Sequence, residues 1–402
     1  MSTEQWADLS QVLFSPTTFL LYFTAMLASF YSLAFTRVAR DGDEAGQSRA
    51  GLRAGHLATV LTSVGLLTHL GHIVARSAAS GWRVPWGNMF EFSSVIGFIV
   101  VATGLFIVQW RMKRPEILGF MLFSGLMSMA AAYVLFTAPG PLQPILNSDW
   151  LKIHVFAIML GFAIFVVGFT FNALYLLREV AERRVAASIA GVGDHRSIGA
   201  KYAGDTIVEN ENADADGDSV EGHEQIDTRQ VREGVTDDEG YAQLLRESIN
   251  PLRLSLWSAL VGFAAGSVFL GSRPSATVGM VLISVIGALT ARRLVGSLPS
   301  AANLDSLAYR TISFGFPIWT FAVLAGAVWA EQSWGRYWAW DPKETSAFLT
   351  WVAYASYLHA RATKGVKGRN AAIIGMSAFG VLWFTYFAVN LLITGLHSYA
   401  GL

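Results

Sequence analysis

A tryptophan-rich segment near the C-terminal end of the chain carries the residues with the clearest chemical potential. Six of the thirteen tryptophans fall within residues 319–351. The densest part, the tryptophan loop 329–345, contains Trp334, Arg336, Trp338, Trp340, Asp341 and Lys343. Flat aromatic faces beside charges suit a planar ligand with carboxylate edges. An equally open alternative is an interfacial aromatic belt, because Trp and Tyr favour headgroup depth at membrane surfaces.

Three histidines add a candidate metal-binding function to this segment. His154 and His397 are predicted at the outer ends of two membrane helices, on the same face as the tryptophan loop. Two neutral imidazoles beside an aromatic surface are what six-coordinate haem iron requires. His359 lies deeper, where an imidazole in hydrocarbon is costly unless it is ligated or hydrogen-bonded. Taken singly, His154 and His397 could also be ordinary interfacial histidines.

Membrane helices must position these residues, because the composition is that of a membrane protein. The chain has 53% hydrophobic and 14% charged residues, whereas soluble domains carry about 25% charged residues. A spanning helix needs roughly 20 apolar residues. Ten segments meet this criterion: 17–37, 54–76, 89–110, 117–137, 151–177, 253–271, 275–291, 311–330, 346–361 and 371–395. The predicted fold is an all-α polytopic membrane protein with about ten transmembrane helices, or eight if the hairpin 253–291 does not span.

Basic residues in the loops predict the orientation of the chain. The loops after the first, third, fifth, seventh and ninth predicted helices are rich in Arg and Lys. These loops are therefore expected in the cytoplasm, with both termini and the tryptophan loop outside. Three regions follow: an N-terminal five-helix membrane region 1–184, an acidic cytoplasmic linker 185–250 predicted to be disordered, and a C-terminal membrane region 251–402.

The chain contains no cysteine. Disulfides, thiolate metal sites and a covalent thiol intermediate are therefore excluded, and any thioether chemistry must use sulfur from another molecule. The formal net charge is zero because an acidic stretch offsets a basic remainder: residues 201–240 hold 13 acidic and 3 basic side chains. The sequence predicts a lipid bilayer around the chain and no nucleic acid as a partner.

Four motifs together resemble one family of haem-handling membrane proteins. The segment Trp334-Gly-Arg-Tyr-Trp338-Ala-Trp340-Asp341-Pro342-Lys343-Glu344-Thr345 is similar to the tryptophan-rich WWD signature. Its Pro-Lys-Glu-Thr ending is typical of the CcsA branch, called ResC or CcsB in some lineages. The other motifs are Trp86-Gly-Asn-Met-Phe-Glu91, Tyr357-Leu-His359-Ala-Arg361 and Gly395-Leu-His397-Ser-Tyr399. Phe90 and Ser346 depart from the family, which usually has Tyr and Trp there.

The resemblance implies a haem-handling subunit of a type II cytochrome c maturation complex, in the bacterial plasma membrane and active at its external face. Haem b would cross the membrane and be presented for thioether attachment to the Cys-x-x-Cys-His segment of apocytochrome c. The implied partners are a ResB/CcsB-type membrane subunit, with which the chain would form a holocytochrome c synthase, and a thioredoxin-like thiol reductant. By position, His154 and His397 would be the external haem ligands. His359 would be an intramembrane ligand whose mate belongs to the partner subunit.

Several alternatives stay open at the level of the sequence. Arg336 and Lys343 could pair with haem propionates or be ordinary loop charges. The sequence does not separate haem attachment from haem export or chaperoning alone. A b-type electron-transfer protein would need paired histidines at matched depths, but His69 and His359 lie about 20 Å and 10 Å above the cytoplasmic face by helical rise. His69 and His72 are instead expected to make core or helix contacts.

Overall fold

The computed structural model describes residues 1–35, 48–142, 144–189, 238–270, 274–363, 365–389, 393 and 395. Within these ranges the regular secondary structure is helical, which confirms the predicted all-α fold. The principal helices are α1 Thr3–Val12, α2 Phe19–Ala34, α3 Arg49–Ala79, α4 Met89–Leu105, α5 Leu118–Val134, α6 Asp149–Ile189, α7 Asp238–Ser248, α8 Pro251–Leu270, α9 Pro274–Leu294, α10 Ala301–Trp334, α11 Pro342–Thr363 and α12 Gly368–Trp383.

Eight helical stretches in the described part of the chain are long and apolar enough to cross a membrane. They are Thr3–Ala34, Arg49–Ala79, Met89–Gln109, Pro115–Val134, Asp149–Ser188, Thr277–Ser297, Ala301–Trp334 and Gly368–Phe387. The prediction of a polytopic membrane protein is therefore confirmed. The two other predicted spans also form helices, α8 and α11. Helix α11 is less apolar because it includes Lys343, Glu344 and Arg361.

The predicted spans 253–271 and 275–291 correspond to helices α8 and α9, which pack against each other. With 20 and 21 residues, each helix is about 30 Å long at 1.5 Å per residue, which is enough to cross the hydrocarbon. Gly262 of α8 lies against Met280 and Ser284 of α9, where a Cβ would come within 3 Å of both residues. Such close approach at a small residue is how membrane helices pack without a hydrophobic driving force.

Helices α6 and α10 form the central helix pair of the molecule. Their backbones approach at three glycines: Gly161 faces Trp319, Gly168 faces Ile312, and Gly315 faces Phe165. The buried side chains around this pair, with those of α4, α11 and α12, form one of two large apolar cores. The other core joins α2, α4 and α5 to the inner part of α6. The close packing of α6 against α10 thus sets the relative positions of the residues that these two helices contribute to the site described below.

The predicted disordered linker 185–250 is too wide at both ends. Helix α6 continues to Ile189, and α7 occupies Asp238–Ser248. Tyr241, Leu244 and Leu245 of α7 are buried in the inner core, so an amphipathic helix docks where solvated chain was expected. The remainder of the predicted linker, 190–237, lies outside the described residues.

Candidate functional site

The end of the tryptophan loop is the N-terminal cap of α11. The Asp341 carboxylate accepts a hydrogen bond from the Lys343 amide (3.1 Å), and the Glu344 carboxylate accepts bonds from the amides of Asp341 (3.2 Å) and Ala339 (2.8 Å). This arrangement resembles a capping box, except that Asp341 bonds the second helical amide and not the third. Pro342 occupies the first helical position, which suits proline. The Asp-Pro-Lys-Glu sequence therefore builds the start of a helix.

The second quoted motif, 86–91, builds the start of α4 in the same way. The Asn88 side chain accepts a bond from the Glu91 amide (3.0 Å). Glu91 accepts bonds from Arg76 Nε (2.9 Å), Arg83 Nη1 (2.8 Å) and the Gly87 amide (2.9 Å). The two arginines continue to the Thr137 and Gly140 carbonyls. This ion cluster ties α3 and α4 to the segment after α5.

A large cavity opens between these two helix starts and the ends of α6, α10 and α12. Its empty space is about 1320 Å³, open solvent at the mouth included. Most of its wall is apolar or aromatic. The aromatic lining consists of Trp86, Phe92, Phe162, Trp319, Trp329, Tyr337, Trp338 and Tyr386, and the polar lining includes Asn88, His154, Lys343, Glu344 and Thr385. We call this space the outer cavity.

His154 is held rigidly in the wall of the outer cavity. Its Nδ1 lies 2.7 Å from the carbonyl oxygen of Ala322. A carbonyl only accepts, so Nδ1 donates and the lone pair is on Nε2. The imidazole also lies over Gly326, where a Cβ would come within 2.7 Å of the ring. A histidine whose other nitrogen donates to a backbone carbonyl is the usual arrangement of a metal ligand.

Lys343, in the first turn of α11, lines the outer cavity with its cationic side chain. It precedes the predicted span 346–361, and burial lowers its pKa to about 8, while the nearby Asp341 carboxylate opposes that shift. The Asp341 side chain is itself buried in the cap, at 6% exposure. Asp341 therefore serves the helix start and the environment of Lys343, whereas Lys343 reaches the cavity.

The remaining predicted residues of the tryptophan loop divide into two groups. Trp338 lines the outer cavity, and its buried indole Nε1 has no hydrogen-bond partner among the described residues. Trp334 packs edge-on against Trp329 at 4.9 Å. Trp340 and Arg336 are exposed on the outer surface, with Trp340 edge-on against Trp338 at 5.8 Å. Of the predicted aromatic surface, Trp338 alone among these three tryptophans faces the cavity.

The other two predicted haem ligands lie elsewhere. His359 is exposed on α11, with Nδ1 3.2 Å from the Thr363 hydroxyl. Its neighbour Arg361 points inward and forms a bidentate pair with Asp305 of α10 (2.6 and 2.9 Å). His397 lies outside the described residues. Gly395, two positions earlier, contacts the Asp341 carboxylate so closely that a Cβ would lie 2.6 Å from it.

His69 and His72 do not line the outer cavity; they are buried in the core, as expected. His69 lies between the Ser94 hydroxyl (3.1 Å from Nε2) and the Tyr22 hydroxyl (3.4 Å from Nδ1). His72 Nδ1 lies 2.9 Å from the Ser10 carbonyl oxygen and therefore donates to it. These bonds join α1 and α2 to α3 and α4, so the pair has a helix-contact role.

Sequence reasoning missed several residues of the site. Trp86, Trp319, Tyr337, Glu344 and Tyr386 all line the outer cavity but were not predicted as site residues. Trp86 and Glu344 lie inside quoted motifs, and the helix-cap pattern of Asp341 and Glu344 was readable from their spacing. For Trp319 and Tyr386, which lie within helices, no comparable signal exists because their facing depends on helix packing.

The chain matches known proteins along most of its length. A family model described as Cytochrome C assembly protein matches residues 60–397. The cytochrome c biogenesis protein CcsA of Gloeothece citriformis is 30% identical over 389 residues, 95% of each chain. The CcsA of Gloeobacter violaceus is 32% identical over 353 residues (86% of this chain, 87% of the relative). That of Rippkaea orientalis is 31% identical over 329 residues (79% and 81%).

These matches include the two capped helix starts, His154 and the motif of His359. They agree with the resemblance of the tryptophan loop, and the helices agree with a protein that crosses the membrane many times. The chain is a multi-pass membrane protein of the CcsA family of cytochrome c assembly proteins, with a role in cytochrome c maturation.

Proposed function

We propose that the chain receives haem within the membrane, holds it in the outer cavity and presents it there for attachment to apocytochrome c. The observation that carries this proposal is the orientation of His154, whose Nδ1 donates to Ala322, so that Nε2 is the nitrogen that would bind a metal. The cavity around it has aromatic walls, which suit the apolar faces of a porphyrin. His397 is the proposed second axial ligand, because its chain segment passes Asp341 at Gly395.

The charged edge of haem is proposed to lie toward the start of α11. Lys343 lines the cavity there, and an ammonium that is mostly desolvated gains much from a carboxylate partner. The first turns of α4 and α11 also line the cavity. The positive ends of their helix dipoles favour an anion in the same place. Trp338 offers an aromatic face, while Arg336 is exposed and is not among the residues that line the cavity.

His359 is proposed to ligate haem at an inner site, with a histidine of the ResB/CcsB-type partner subunit as its mate. Its exposure on α11 supports this, because the ring is accessible to a neighbouring subunit while Nδ1 lies 3.2 Å from the Thr363 hydroxyl. On the same helix Tyr357 is buried and Arg361 pairs with Asp305. These inward contacts fix the rotation of α11, so that His359 projects outward toward a neighbouring subunit.

The proposed chemistry is the addition of each cysteine thiol of the apocytochrome Cys-x-x-Cys-His segment across a haem vinyl group. The S–H bond and the vinyl π bond break, and a C–S and a C–H bond form, so no net oxidant or reductant is consumed. This chain supplies no thiol. Its contribution is position: axial ligation, a fixed face and an anchored polar edge, which catalyse by proximity. A thioredoxin-like reductant would keep the cysteines reduced, and haem b would be the substrate at the external face of a bacterial plasma membrane.

Two alternative functions differ in what they require of this site. A b-type electron-transfer protein needs a depth-matched histidine pair, but the buried His69 and His72 are engaged with Tyr22, Ser94 and Ser10. A haem exporter or chaperone needs the same two sites as the proposed function but no attachment. Co-purification with a ResB-like subunit, together with haem staining of a co-expressed apocytochrome, separates attachment from export.

The order of the two sites is tested by haem stoichiometry in the purified complex. We expect His154→Ala to lower haem at the outer site by at least about tenfold, since weaker changes around a metal ligand already cost 10–100-fold. The inner site should stay filled. His359→Ala should deplete both sites. His56→Ala, at an exposed histidine outside both sites, is the control. A bis-histidine spectrum unchanged in His154→Ala would overturn the ligand assignment.

A further inference from the structure

A second cavity lies beneath the outer cavity, within the membrane-spanning part of the molecule. It is bounded by α4, α5, α6 and α12, and its empty space is about 630 Å³, open space included. Its lining consists of Ser93, Ile96, Phe123, Ser124, Met127, Ser128, Ala131, Phe162, Val166, Phe169, Phe379, Trp383, Tyr386 and Phe387. Half of these side chains are aromatic. We call this space the inner cavity.

The two cavities are stacked along the same helix faces. On α6, His154 and Ile158 line the outer cavity, Val166 lines the inner one, and Phe162 lines both. These residues are four apart or a multiple of four, so they share one face of the helix. Tyr386, in the turn that continues α12, is the second side chain common to both. Phe162 and Tyr386 are therefore the partition between two chambers of one passage.

The partition is held closed by contacts of the Tyr386 side chain. Its hydroxyl is hydrogen-bonded to the Ser93 hydroxyl of α4. Its ring stacks on Phe92 (centroids 5.3 Å apart) and meets Phe162 edge-on (5.2 Å). Tyr386 lies in the π-helical turn Phe384–Ala388. Such turns loosen the regular α-helical bonding and are frequent at functional sites.

The chemistry of the inner cavity restricts what can occupy it. Its lining includes neither a charged side chain nor a histidine. The hydroxyls of Ser93, Ser124 and Ser128 are all hydrogen-bonded within the protein. The chamber thus offers aromatic faces to an apolar plane, and its only side chains of types that ligate haem iron are Met127 and Tyr386. It offers no counter-charge to a carboxylate, whereas the outer cavity offers Lys343.

We propose that the inner cavity is an apolar antechamber that admits haem to the outer cavity, and that Tyr386, tethered to Ser93, is the gate between them. The inference rests on the proposed function. Haem would leave the antechamber when Tyr386 swings from Ser93, and His154 and Lys343 would then retain it beyond the gate. A lipid acyl chain is the competing occupant of so apolar a space.

The test uses two kinds of substitution: one fills the antechamber with a larger side chain, and the other removes the hydrogen bond between Tyr386 and Ser93. Ser128→Phe places a ring in the inner cavity, and Ser63→Phe is its matched control at an exposed serine of α3. Two occupancies of the outer site are measured: with haem supplied by the cell, and with haem added to the purified complex in detergent. We expect Ser128→Phe to lower the occupancy reached with cellular haem severalfold and to leave the occupancy reached with added haem unchanged. Ser63→Phe should change neither.

Tyr386→Phe and Ser93→Ala each remove the tether, and each should speed the loading of the outer site from inside. The proposal is overturned if Ser128→Phe behaves like Ser63→Phe, a result that would leave lipid as the occupant. It is also overturned if both tether variants load at the unaltered rate, whatever Ser128→Phe does. Failure of the proposed function looks different, because the unsubstituted complex would then hold no haem at the outer site.

Discussion

Helices α4 and α11 both begin at the outer cavity with an Asn or Asp cap followed by a glutamate. The two glutamates differ in how many of their carboxylate oxygens accept hydrogen bonds. Glu91 in α4 and Glu344 in α11 both occupy the third helical position after a capping Asn or Asp. Both oxygens of Glu91 are engaged by Arg76, Arg83 and Gly87. One oxygen of Glu344 accepts two backbone bonds, and the other, Oε1, is buried without a hydrogen-bond partner among the described residues.

The difference distinguishes a carboxylate that stabilises the fold, Glu91, from one that lines the outer cavity, Glu344. Glu91 neutralises part of the charge of buried Arg76 and partly buried Arg83, so its charge is needed for the fold. Glu344 needs only its accepting oxygen to hold the cap, and it lines the outer cavity beside Lys343 and Trp338. An unsatisfied buried oxygen is uncommon in native proteins and calls for an explanation. Two helix starts with similar sequences can thus differ in role: one stabilises an ion cluster, and the other lines a cavity.

The largest expected effect tests this comparison directly. Glu91→Gln should destabilise the folded protein by roughly 3–5 kcal/mol, because it leaves the buried Arg76 guanidinium without its counter-charge. Glu344→Gln keeps an acceptor for the Ala339 and Asp341 amides and should cost about 1 kcal/mol or less. Thermal unfolding of both variants in the same detergent measures the difference. Equal losses of stability would show that the two carboxylates do the same job.

A smaller effect is expected from the pH dependence of Lys343. Burial lowers its pKa to about 8, so the ammonium is present below that pH and is lost above it. If Lys343 holds a propionate, haem affinity should fall as pH rises through about 8. Stability without haem should change in the opposite direction, because between about 8 and the unfolded pKa near 10.4 the unfolded chain binds more protons.

Two variants separate Lys343 from other titrating groups. Lys343→Arg keeps its charge over this range and should flatten the haem titration, while Lys343→Gln should weaken haem binding at every pH. The measurement is haem affinity of the purified complex from pH 6.5 to about 9.5, a range chosen to bracket the lowered lysine pKa. If Lys343→Arg retained the full pH dependence, another group would be responsible.

The smallest effect distinguishes Trp338, in the cavity wall, from Trp340, on the exposed surface. Trp338→Ala should lower haem affinity by about three- to tenfold, as expected for the loss of an aromatic contact. Trp338→Phe should be milder because an aromatic face survives. Trp340→Ala should change affinity less than Trp338→Ala does. The interfacial-belt interpretation predicts the reverse: lower accumulation in the membrane, most of all for exposed Trp340, at constant haem per molecule.

Much of the fold could be predicted from the sequence because hydrocarbon allows few alternatives to the helix. Runs of apolar residues sufficed to find the spanning segments, and even the hairpin 253–291 is helical throughout its described part. The edges of the acidic linker could not be predicted from charge. Helix α7 docks through Tyr241, Leu244 and Leu245, whose spacing is a local signal that the surrounding acidic residues hide.

The candidate site was predictable only in part. His154 was singled out because histidines are uncommon near membrane depth, and Lys343 because it lies in the tryptophan loop. The division of labour among Trp334, Trp338 and Trp340 could not be predicted, because a loop has no fixed periodicity that assigns its side chains to one face. The capping role of Asp341 was predictable from its spacing to Glu344, but the resemblance of the motif drew attention to ligand binding instead. Helical rise predicts different depths for His359 and His69, and in the structure the two histidines have different partners: Thr363 for His359, and Ser94 and Tyr22 for His69.

The contact between His154 and Gly326 has a kinetic consequence. The imidazole is bonded to Ala322 on one side and abuts the α10 backbone on the other, so it has little freedom to swing away. In the proposed function, iron would therefore leave His154 by ligand exchange and not by retreat of the histidine. The displacing nitrogen would come from the incoming Cys-x-x-Cys-His segment, which would couple release of haem to arrival of its acceptor. Haem dissociation should accelerate with added free imidazole; a rate independent of imidazole concentration would contradict this coupling.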